Sequence, residues 1–479
     1  MKDYVTISRV YFIGIGGIGM SALAKYYLSR NAEVSGYDKT ATSLTRQMED
    51  EGISIHYEDN IEMLDKNAQL VVYTPAVPKD HKEFNYYLDN NFEMAKRSTV
   101  LGEITKSSFN ICIAGTHGKT TISTMIAHIL RHTGFGCSAF LGGIAVNYNT
   151  NFWSSDSNVS VAEADEYDRS FLKLSPDVAV ISAMDADHLD IYGTKGNMTQ
   201  AFVDFSNKLK PGGLLITKYG IAGNHFTAAH HLRYSLQNSV ANAYASDITM
   251  HNGGYRFDVL TKDWMIDNLK LNMGGMHNVE NAVAAIMIAH HLNIDSLKIK
   301  KAVEDFKGVK RRFEYIISPH QENSINEKGL YQNNVTQPVI FIDDYAHHPQ
   351  ELEALIKSAK SLFSTRTCTI IFQPHLFSRT KDFANEFAEI LDMADEVLLL
   401  PVYPARELPV AGVTSKLILE KMKNENARVV SGEELLEYLA TRYLTALQKS
   451  VHGQLLITAG AGDIDQLVEP IKNILAGGQ

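Results

Sequence analysis

Residues 110–121 constrain this chain more than any other stretch. A short apolar run, Ile111 to Ala114, enters Gly115-Thr116-His117-Gly118-Lys119-Thr120-Thr121, and helical periodicity follows from Thr120 to Leu130. A buried strand that passes through a glycine-bounded turn into a helix aims backbone N–H groups and the positive helix end at one point. That is what a phosphate needs. Lys119 adds a point charge able to reach a terminal phosphate, and Thr120 or Thr121 adds a hydroxyl for magnesium. The loop is a variant P-loop, Gly-x-x-Gly-Lys-Thr, because Ile113 stands where the full pattern has its first glycine. An ordinary glycine turn would not need strand, loop, Lys-Thr pair and helix in this order.

A second glycine motif lies near the N-terminus. Arg9–Ile13 reads as a strand, followed by Gly14, Gly16, Gly17 and Gly19 in Gly-x-Gly-x-x-Gly spacing and a helix over Met20–Ser29. A second strand, Glu33–Tyr37, ends in Asp38, an acid about 20 residues past the last of those glycines, placed for a ribose. The pattern indicates the diphosphate of a nucleotide and leaves NAD, FAD and a UDP-sugar all open.

Composition excludes several classes. The 479 residues suffice for about three domains, and 45% apolar with 21% charged residues is the balance of a globular chain. A net charge of -10 and a pI near 6.0 lack the basic face a nucleic-acid binder needs. Cys112, Cys137 and Cys368 have no metal-ligand spacing and fit a reducing compartment. Cys112, inside the strand before the P-loop, is expected to be a small core residue. The apolar stretch Val10–Ala24 is broken by glycines and flanked by charge, so it reads as strand, turn and helix, not as a signal peptide. No run approaches the roughly 18 apolar residues of a membrane span. The expected location is the cytoplasm, with no membrane and no nucleic-acid partner, as a monomer or weak homodimer.

After the P-loop, Val159–Ala162 leads into Glu163, Asp165, Glu166 and Asp168, and Val178–Ala183 leads into Asp185, Asp187, His188 and Asp190. Carboxylates and a histidine at strand ends beside a P-loop suit magnesium and its waters. Asp247–Leu260 and Trp264–Leu271 read as antiparallel strands. Asn278 and Asn281, three apart on a helix opened by glycines, share one face. The segment 318–337 is polar and reads as a loop or hairpin insertion. Strands and helices then alternate to the end as in a doubly wound, mostly parallel α/β domain. Its polar residues follow strands: Asp343-Asp344-Tyr345-Ala-His347-His348, then Gln373-Pro-His375-Leu-Phe-Ser378-Arg379, then Gly460-Ala-Gly462-Asp463.

In this order the motifs Gly-Ile-Gly-Gly-Ile-Gly-Met, Gly-Thr-His-Gly-Lys-Thr-Thr, Ala-Glu-Ala-Asp-Glu, Asp-Ala-Asp-His, His-Asn-x-x-Asn-Ala, Arg-Arg-Phe, Asp-Asp-Tyr-Ala-His-His-Pro and Gln-Pro-His resemble the Mur ligase family, over nearly the whole chain. The resemblance implies a three-domain α/β architecture. Residues 1–107 would form a Rossmann-like UDP-sugar domain, 108–312 a central P-loop ATP domain, and 313–479 a C-terminal Rossmann-like domain that binds an amino acid and closes over ATP. His117 points to the branch that adds L-alanine. The implied reaction uses ATP and Mg2+ to activate the lactyl carboxylate of UDP-N-acetylmuramate as an acyl phosphate. The amine of L-alanine then attacks it, in peptidoglycan precursor synthesis.

Carried over position by position, the resemblance implies that Gly115, Thr116, His117, Gly118, Lys119, Thr120 and Thr121 cradle the ATP phosphates. Asn278, Asn281, Arg312 and Asp344 are implied as further nucleotide contacts. Thr120, Glu163 and His188 would hold metal, with His117, Lys119, Glu163 and His188 as the catalytic set. Gly14, Gly16, Gly17, Gly19 and Asp38 would take the UDP-sugar, and His347, His375 and Arg379 the amino acid. Leu376 departs from the family, which often has a second basic residue there. Three rival functions remain: a ligase of the same family that attaches a whole tripeptide, an NAD-dependent oxidoreductase built on Gly14–Gly19, and a non-catalytic nucleotide-binding regulator.

Overall fold

A computed structural model of the chain describes residues 4–185, 189–221, 225–319, 338–405 and 407–477. The Cα trace divides into two compact units. One comprises residues 1–247, 257–269 and 277–306, and the other residues 248–256, 270–276 and 307–479.

The first unit contains a five-stranded sheet and most of a ten-stranded one. β1 (Arg9–Ile13), β2 (Glu33–Tyr37), β3 (Ser54–His56), β4 (Leu70–Tyr73) and β5 (Met94–Lys96) form a five-stranded sheet in the order β3-β2-β1-β4-β5. Every pairing in it is parallel. Helices α1 (Ile18–Ser29), α2 (Ser43–Asp50), α3 (Lys82–Asp89) and α4 (Arg97–Thr105) connect the strands. The order reverses at β1, so the glycine loop after β1 opens at the crevice where such sheets take ligands.

The second sheet has ten strands. β6 (Phe109–Ala114) feeds α5 (Lys119–His132), and β7 (Ser138–Ala145), β8 (Thr150–Trp153), β9 (Val159–Glu163) and β10 (Val178–Ile181) follow. The short helix α6 (Leu189–Tyr192) and α7 (Lys195–Ser206) lead to β11 (Leu214–Lys218), β12 (His230–Ser235), β13 (Ala243–His251), β14 (Gly254–Thr261) and β15 (Met265–Leu271). Then come α8 (Met276–His291) and α9 (Ser296–Glu304). The order is β15-β14-β13-β12-β11-β10-β6-β9-β7-β8. β6 pairs in parallel with both β10 and β9, so the P-loop leaves the sheet between two strands that end in acids. Cys112 is fully buried in β6, as its apolar run predicts.

The two sheets of this unit share one core. Phe12, Leu23, Tyr26 and Tyr27 from the first sheet's side belong to the same buried cluster as Phe140, Phe152, Ala179 and Phe202. Tyr26 meets Phe152 edge-on, with ring centroids 6.2 Å apart. Asn151 is fully buried in β8 and donates to the Ile18 carbonyl at 2.7 Å and to Ser21 Oγ at 2.9 Å.

The second unit carries a six-stranded sheet. It is built from β16 (Glu314–Ile317), β17 (Val339–Asp344), β18 (Thr367–Phe372), β19 (Glu396–Leu399), β20 (Ala427–Val429) and β21 (Gln454–Ala459), in the order β16-β17-β21-β18-β19-β20. β16 is antiparallel to β17, and the remaining pairings are parallel. The helices are α10 (Pro349–Leu362), α11 (Phe377–Asp382), α12 (Ala384–Leu391), α13 (Lys416–Leu419), α14 (Gly432–Tyr438), α15 (Leu444–Lys449) and α16 (Asp465–Gly477). Apolar clusters cover both faces of the sheet. The expected mostly parallel α/β organisation is present, and most of the polar insertion over 318–337 lies outside the described residues.

Truncating Asn151 removes two hydrogen bonds at the seam between the first two sheets. Asn151→Ala is expected to lower unfolding free energy by about 1–3 kcal/mol. Urea denaturation reads this as a lower midpoint at unchanged slope.

Candidate active site

The P-loop backbone is pinned to the end of β10. Ser182 N donates to the Ala114 carbonyl at 3.0 Å, Thr116 N to the Ala183 carbonyl at 3.1 Å, and Asp185 N to Thr116 Oγ1 at 3.2 Å. Ser182 Oγ also donates to the His117 carbonyl. Gly115 has φ +130°, and a Cβ there would lie 2.3 Å from Ser182 Oγ, so glycine is required for the approach itself. Gly118 caps α5 at φ +82°, and a Cβ on it would meet Asn281 Oδ1 at 2.8 Å. Asn281 of α8 therefore lies directly against the loop. It donates to Asn278 Oδ1 at 3.1 Å, which brings the predicted amide pair together.

Lys119 turns back into the loop. Its Nζ donates to the Gly115 carbonyl at 2.8 Å and pairs with the Glu166 carboxylate at 2.9 Å. Glu166 is fully buried, and desolvation raises its pKa while Lys119 opposes that rise. Tyr192 donates to the Glu166 backbone carbonyl at 2.6 Å. Thr120 and Thr121 are buried in the first turn of α5. His117 points outward, 62% exposed, with Nε2 3.8 Å from Asp185 Oδ2.

At the end of β9, Glu163 Oε2 is buried without a hydrogen-bond partner. Its carboxylate fills the space over Gly142, where a Cβ would come within 2.1 Å. An unpartnered carboxylate oxygen in a glycine cradle, beside a loop that offers threonine hydroxyls, is the oxygen donor chemistry a hard cation takes. Among the described residues no three acidic, histidine or cysteine side chains cluster as a ready-made metal site. His188, the third expected ligand, lies outside the described residues.

The glycine loop after β1 is built on the same plan. Gly14 and Ile15 amides both donate to the Tyr37 carbonyl, at 2.8 and 3.0 Å, and Gly14 needs its φ of +85°. Asp38, expected as a ribose contact, accepts from Gly16 N at 2.7 Å and from Thr40 N at 3.1 Å. One oxygen braces the glycine loop, and the other closes the turn after β2. Gly17 caps α1, and a Cβ on Gly19 would meet Arg97 Nη1 at 2.8 Å. Arg97 thus lies over the N-terminal end of α1, with Asp165 at 3.8 Å. Sequence reading missed Arg97, although the basic pair Lys96-Arg97 at the start of a helix was the available signal. It read Glu166 only as one of the carboxylates suited to magnesium, and it gave no role to Ser182 and Gly142.

In the second unit Asp344 is boxed by the Phe313 and Ala346 amides, each at 2.7 Å, and burial pushes its carboxyl up to about 7. The neighbouring Arg311 pairs with buried Asp343 at 3.1 Å. His347, His375 and Arg379 come together as expected. Arg379 Nη1 is 3.3 Å from His375 Nδ1, and the His347 and His375 rings are 5.7 Å apart. Desolvation lowers both histidines, His375 to about 4, so both rings are neutral at pH 7.

Residues 9–109 match the family described as Mur ligase family, catalytic domain. Residues 113–289 match the Mur ligase middle domain, and residues 330–462 the Mur ligase, glutamate ligase domain. The chain is 45% identical to UDP-N-acetylmuramate–L-alanine ligase of Cytophaga hutchinsonii, over 97% of this chain and 96% of that one. It is 44% identical to the protein of the same name from Porphyromonas gingivalis, over 98% and 99%. It superimposes on the crystal structure of UDP-N-acetylmuramate–alanine ligase from Thermotoga maritima with a TM-score of 0.80 and 27% identity, covering 98% of this chain and all of the other.

Gly115→Ala places a methyl group where Ser182 Oγ stands. ADP affinity, measured by calorimetry, is expected to fall at least about tenfold as the loop amides lose their alignment.

Proposed function

The chain belongs to the Mur ligase family, and on that premise we propose how its residues carry the reaction. It is an ATP-dependent, amide-forming ligase that joins L-alanine to UDP-N-acetylmuramate in peptidoglycan precursor synthesis. The observation that carries this reading is the match over nearly the full length of relatives of that name, on a chain that keeps an intact Lys119 loop. An oxidoreductase would leave Lys119 and Glu163 idle.

The lactyl carboxylate is a poor acyl donor until phosphorylated, and phosphoryl transfer asks a protein mainly for position and positive charge. In this reading the amides of residues 115–121 and the N-terminal end of α5 receive the ATP phosphates. Lys119 exchanges part of its contact with Glu166 for the terminal phosphate. His117, exposed beside Asp185, stands at the reacting carboxylate. Asn281, against Gly118, fixes the helix that flanks the nucleotide, with Asn278 held on it, and Arg312 and Asp344 supply further nucleotide contacts. Thr120, Glu163 and His188 would hold magnesium, which when bound neutralises charge on the transferred phosphoryl group.

The loop of Gly14, Gly16, Gly17 and Gly19, braced by Asp38, takes the UDP diphosphate on the N-terminal end of α1. Arg97 supplies the charge that this loop lacks. His347, His375 and Arg379 take L-alanine, with the guanidinium on its carboxylate. Holding the amine close to the acyl phosphate supplies effective molarity, and exclusion of water protects that intermediate from hydrolysis. The substrates are small nucleotides and an amino acid. No described helix is long and apolar enough to cross a membrane, and the cytoplasm is the proposed location because ATP and nucleotide sugars are available there.

Phosphate release from ATP and magnesium, with UDP-N-acetylmuramate and in turn L-alanine, glycine, L-serine and the tripeptide, tests the reading. Release that needs both UDP-sugar and L-alanine, with amide formed, is expected; release with the tripeptide alone would move the chain to the other branch. Lys119→Ala is expected to reduce turnover at least about 1,000-fold with the fold intact, since the transition-state charge loses its cation. Activity within tenfold of wild type would exclude the loop assignment. Arg379→Ala is expected to raise KM for L-alanine at least about tenfold while KM for ATP changes less than twofold.

A further inference from the structure

The five-stranded sheet holds a group of buried titratable side chains that no step above uses. Tyr11 of β1 and Glu83 of α3 are fully buried, and His56 at the end of β3 is 9% exposed. Tyr11 Oη donates to Glu83 Oε2 at 2.6 Å and lies 2.7 Å from His56 Nε2. His56 Nδ1 lies 2.9 Å from the Glu58 carbonyl, and Glu83 Oε1 accepts from the Asn60 amide at 3.1 Å.

Donor direction fixes the proton count. A carbonyl only accepts, so His56 Nδ1 carries a hydrogen. The Tyr11 hydroxyl has one hydrogen for two close partners. Two arrangements satisfy both contacts. In one, an imidazolium donates to Tyr11, which donates to the Glu83 carboxylate. In the other, a protonated Glu83 donates to Tyr11, which donates to a neutral His56. Both hold the same number of protons and no net charge, and they interconvert through the tyrosine hydroxyl. Removing one proton leaves lone pair facing lone pair at one contact and a buried net negative charge.

The surroundings set where that proton leaves. Desolvation pushes Glu83 up to about 7 and lowers His56. Asp59 faces Tyr11, His56 and Glu83 and favours the protonated forms. Glu58 acts on His56 in the same sense, and His81, paired with Asp59 at 3.3 Å, acts in the opposite one. Asp80 faces His81, and Tyr87 lies against Tyr11 with ring centroids 5.1 Å apart. On the loop side stands Tyr37, its ring 5.7 Å from His56, with Asp38 acting on it.

These groups are bonded to the glycine loop. The His56 carbonyl accepts the Asp38 amide at 3.1 Å, and the Asp38 carboxylate holds Gly16. The Tyr37 carbonyl holds Gly14 and Ile15. We infer that Tyr11, His56 and Glu83 form a proton-dependent support for the UDP-sugar loop, in which the shared proton keeps the loop amides aligned and its loss weakens diphosphate binding. The inference rests on the reading that Gly14–Gly19 takes the UDP diphosphate. The sign follows from charge: deprotonation adds a buried negative charge beneath an anion site, so affinity falls as pH rises. The triad acts through the loop and touches no substrate.

The test is calorimetric binding of UDP-N-acetylmuramate to the full chain from pH 6 to 8.5, without ATP or alanine. Its diphosphate is esterified at both ends and does not titrate in that range. Wild type is expected to lose about tenfold in affinity between pH 6.5 and 8.5, as one titrating proton allows. Glu83→Gln, whose amide donates permanently to Tyr11, is expected to lose less than twofold, whereas Tyr11→Phe, which leaves His56 Nε2 facing Glu83 Oε1 at 3.5 Å, is expected to keep a pH slope. ADP binding is expected to follow the same pH profile in all three proteins. Imidazole 15N spectra of wild type, with His56 assigned through His56→Gln, are expected to show the His56 ring nitrogens shifting with the midpoint of the affinity change, as Tyr11 changes the partner it donates to. A flat wild-type profile, a wild-type slope retained in Glu83→Gln, or His56 ring nitrogens whose shifts do not change across the affinity midpoint would overturn the inference and leave the ligase reading standing. Absence of UDP-sugar binding at every pH would overturn both.

Discussion

The approach of Gly115 to the end of β10 is the constraint on which the nucleotide loop depends. Residues 114–116 exchange hydrogen bonds with Ser182 and Ala183 as if the two parallel strands ran on past their ends. A side chain at residue 115 would occupy the place of Ser182 Oγ. Pinned there, the loop exposes the first amides of α5 and draws Lys119 under its own backbone. β9, on the other flank of β6, delivers Glu163 at the same edge. The chemistry follows from a backbone contact that only glycine permits.

Charge is local in this protein. A net charge of -10 coexists with basic side chains that are each set against a carboxylate: Lys119 on Glu166, Arg97 on Asp165 and Arg311 on Asp343. Lys119 and Glu166 form the most buried of these pairs, and leaving either partner alone there would be expensive. In the proposed role of Lys119, an arriving phosphate competes with a carboxylate that already holds the lysine. That competition lowers affinity, but it also keeps the ammonium preorganised within the loop instead of loose in solvent.

Much of this was legible from the chain. The apolar runs gave β1, β2, β6, β9 and β10, and the two glycine motifs located both loops. β7 and β8 escaped because Gly142-Gly143 and Thr150-Asn151 break the apolar pattern, and their burial comes from packing against α1. Helices α11 and α12 are separated at Phe383, where the backbone leaves helical geometry. Arg97, Gly142 and the pairing of Glu166 with Lys119 escaped because they depend on neighbours distant in sequence. Asp38 was found for its place after β2, but in the structure it acts on Gly16.

The amino-acid cluster shows how sequence and backbone combine. Leu376, the position that departs from the family, has φ +71°, which a leucine adopts only under constraint. Its amide is held by the Tyr403 carbonyl at 2.9 Å, and His375 stacks on Tyr403 with centroids 5.8 Å apart. Ser378 is fixed next to it by Glu407. The strained turn therefore sets where α11 begins and aims Arg379 back at His375. Because burial keeps His347 and His375 neutral and Leu376 supplies no charge, the positive charge of this cluster rests on Arg379. In the proposed amino-acid role, a planar guanidinium beside the neutral His375 ring would select a small carboxylate by bidentate geometry more than by field strength. That is the discrimination an enzyme needs when its amino-acid substrate offers little side chain to read.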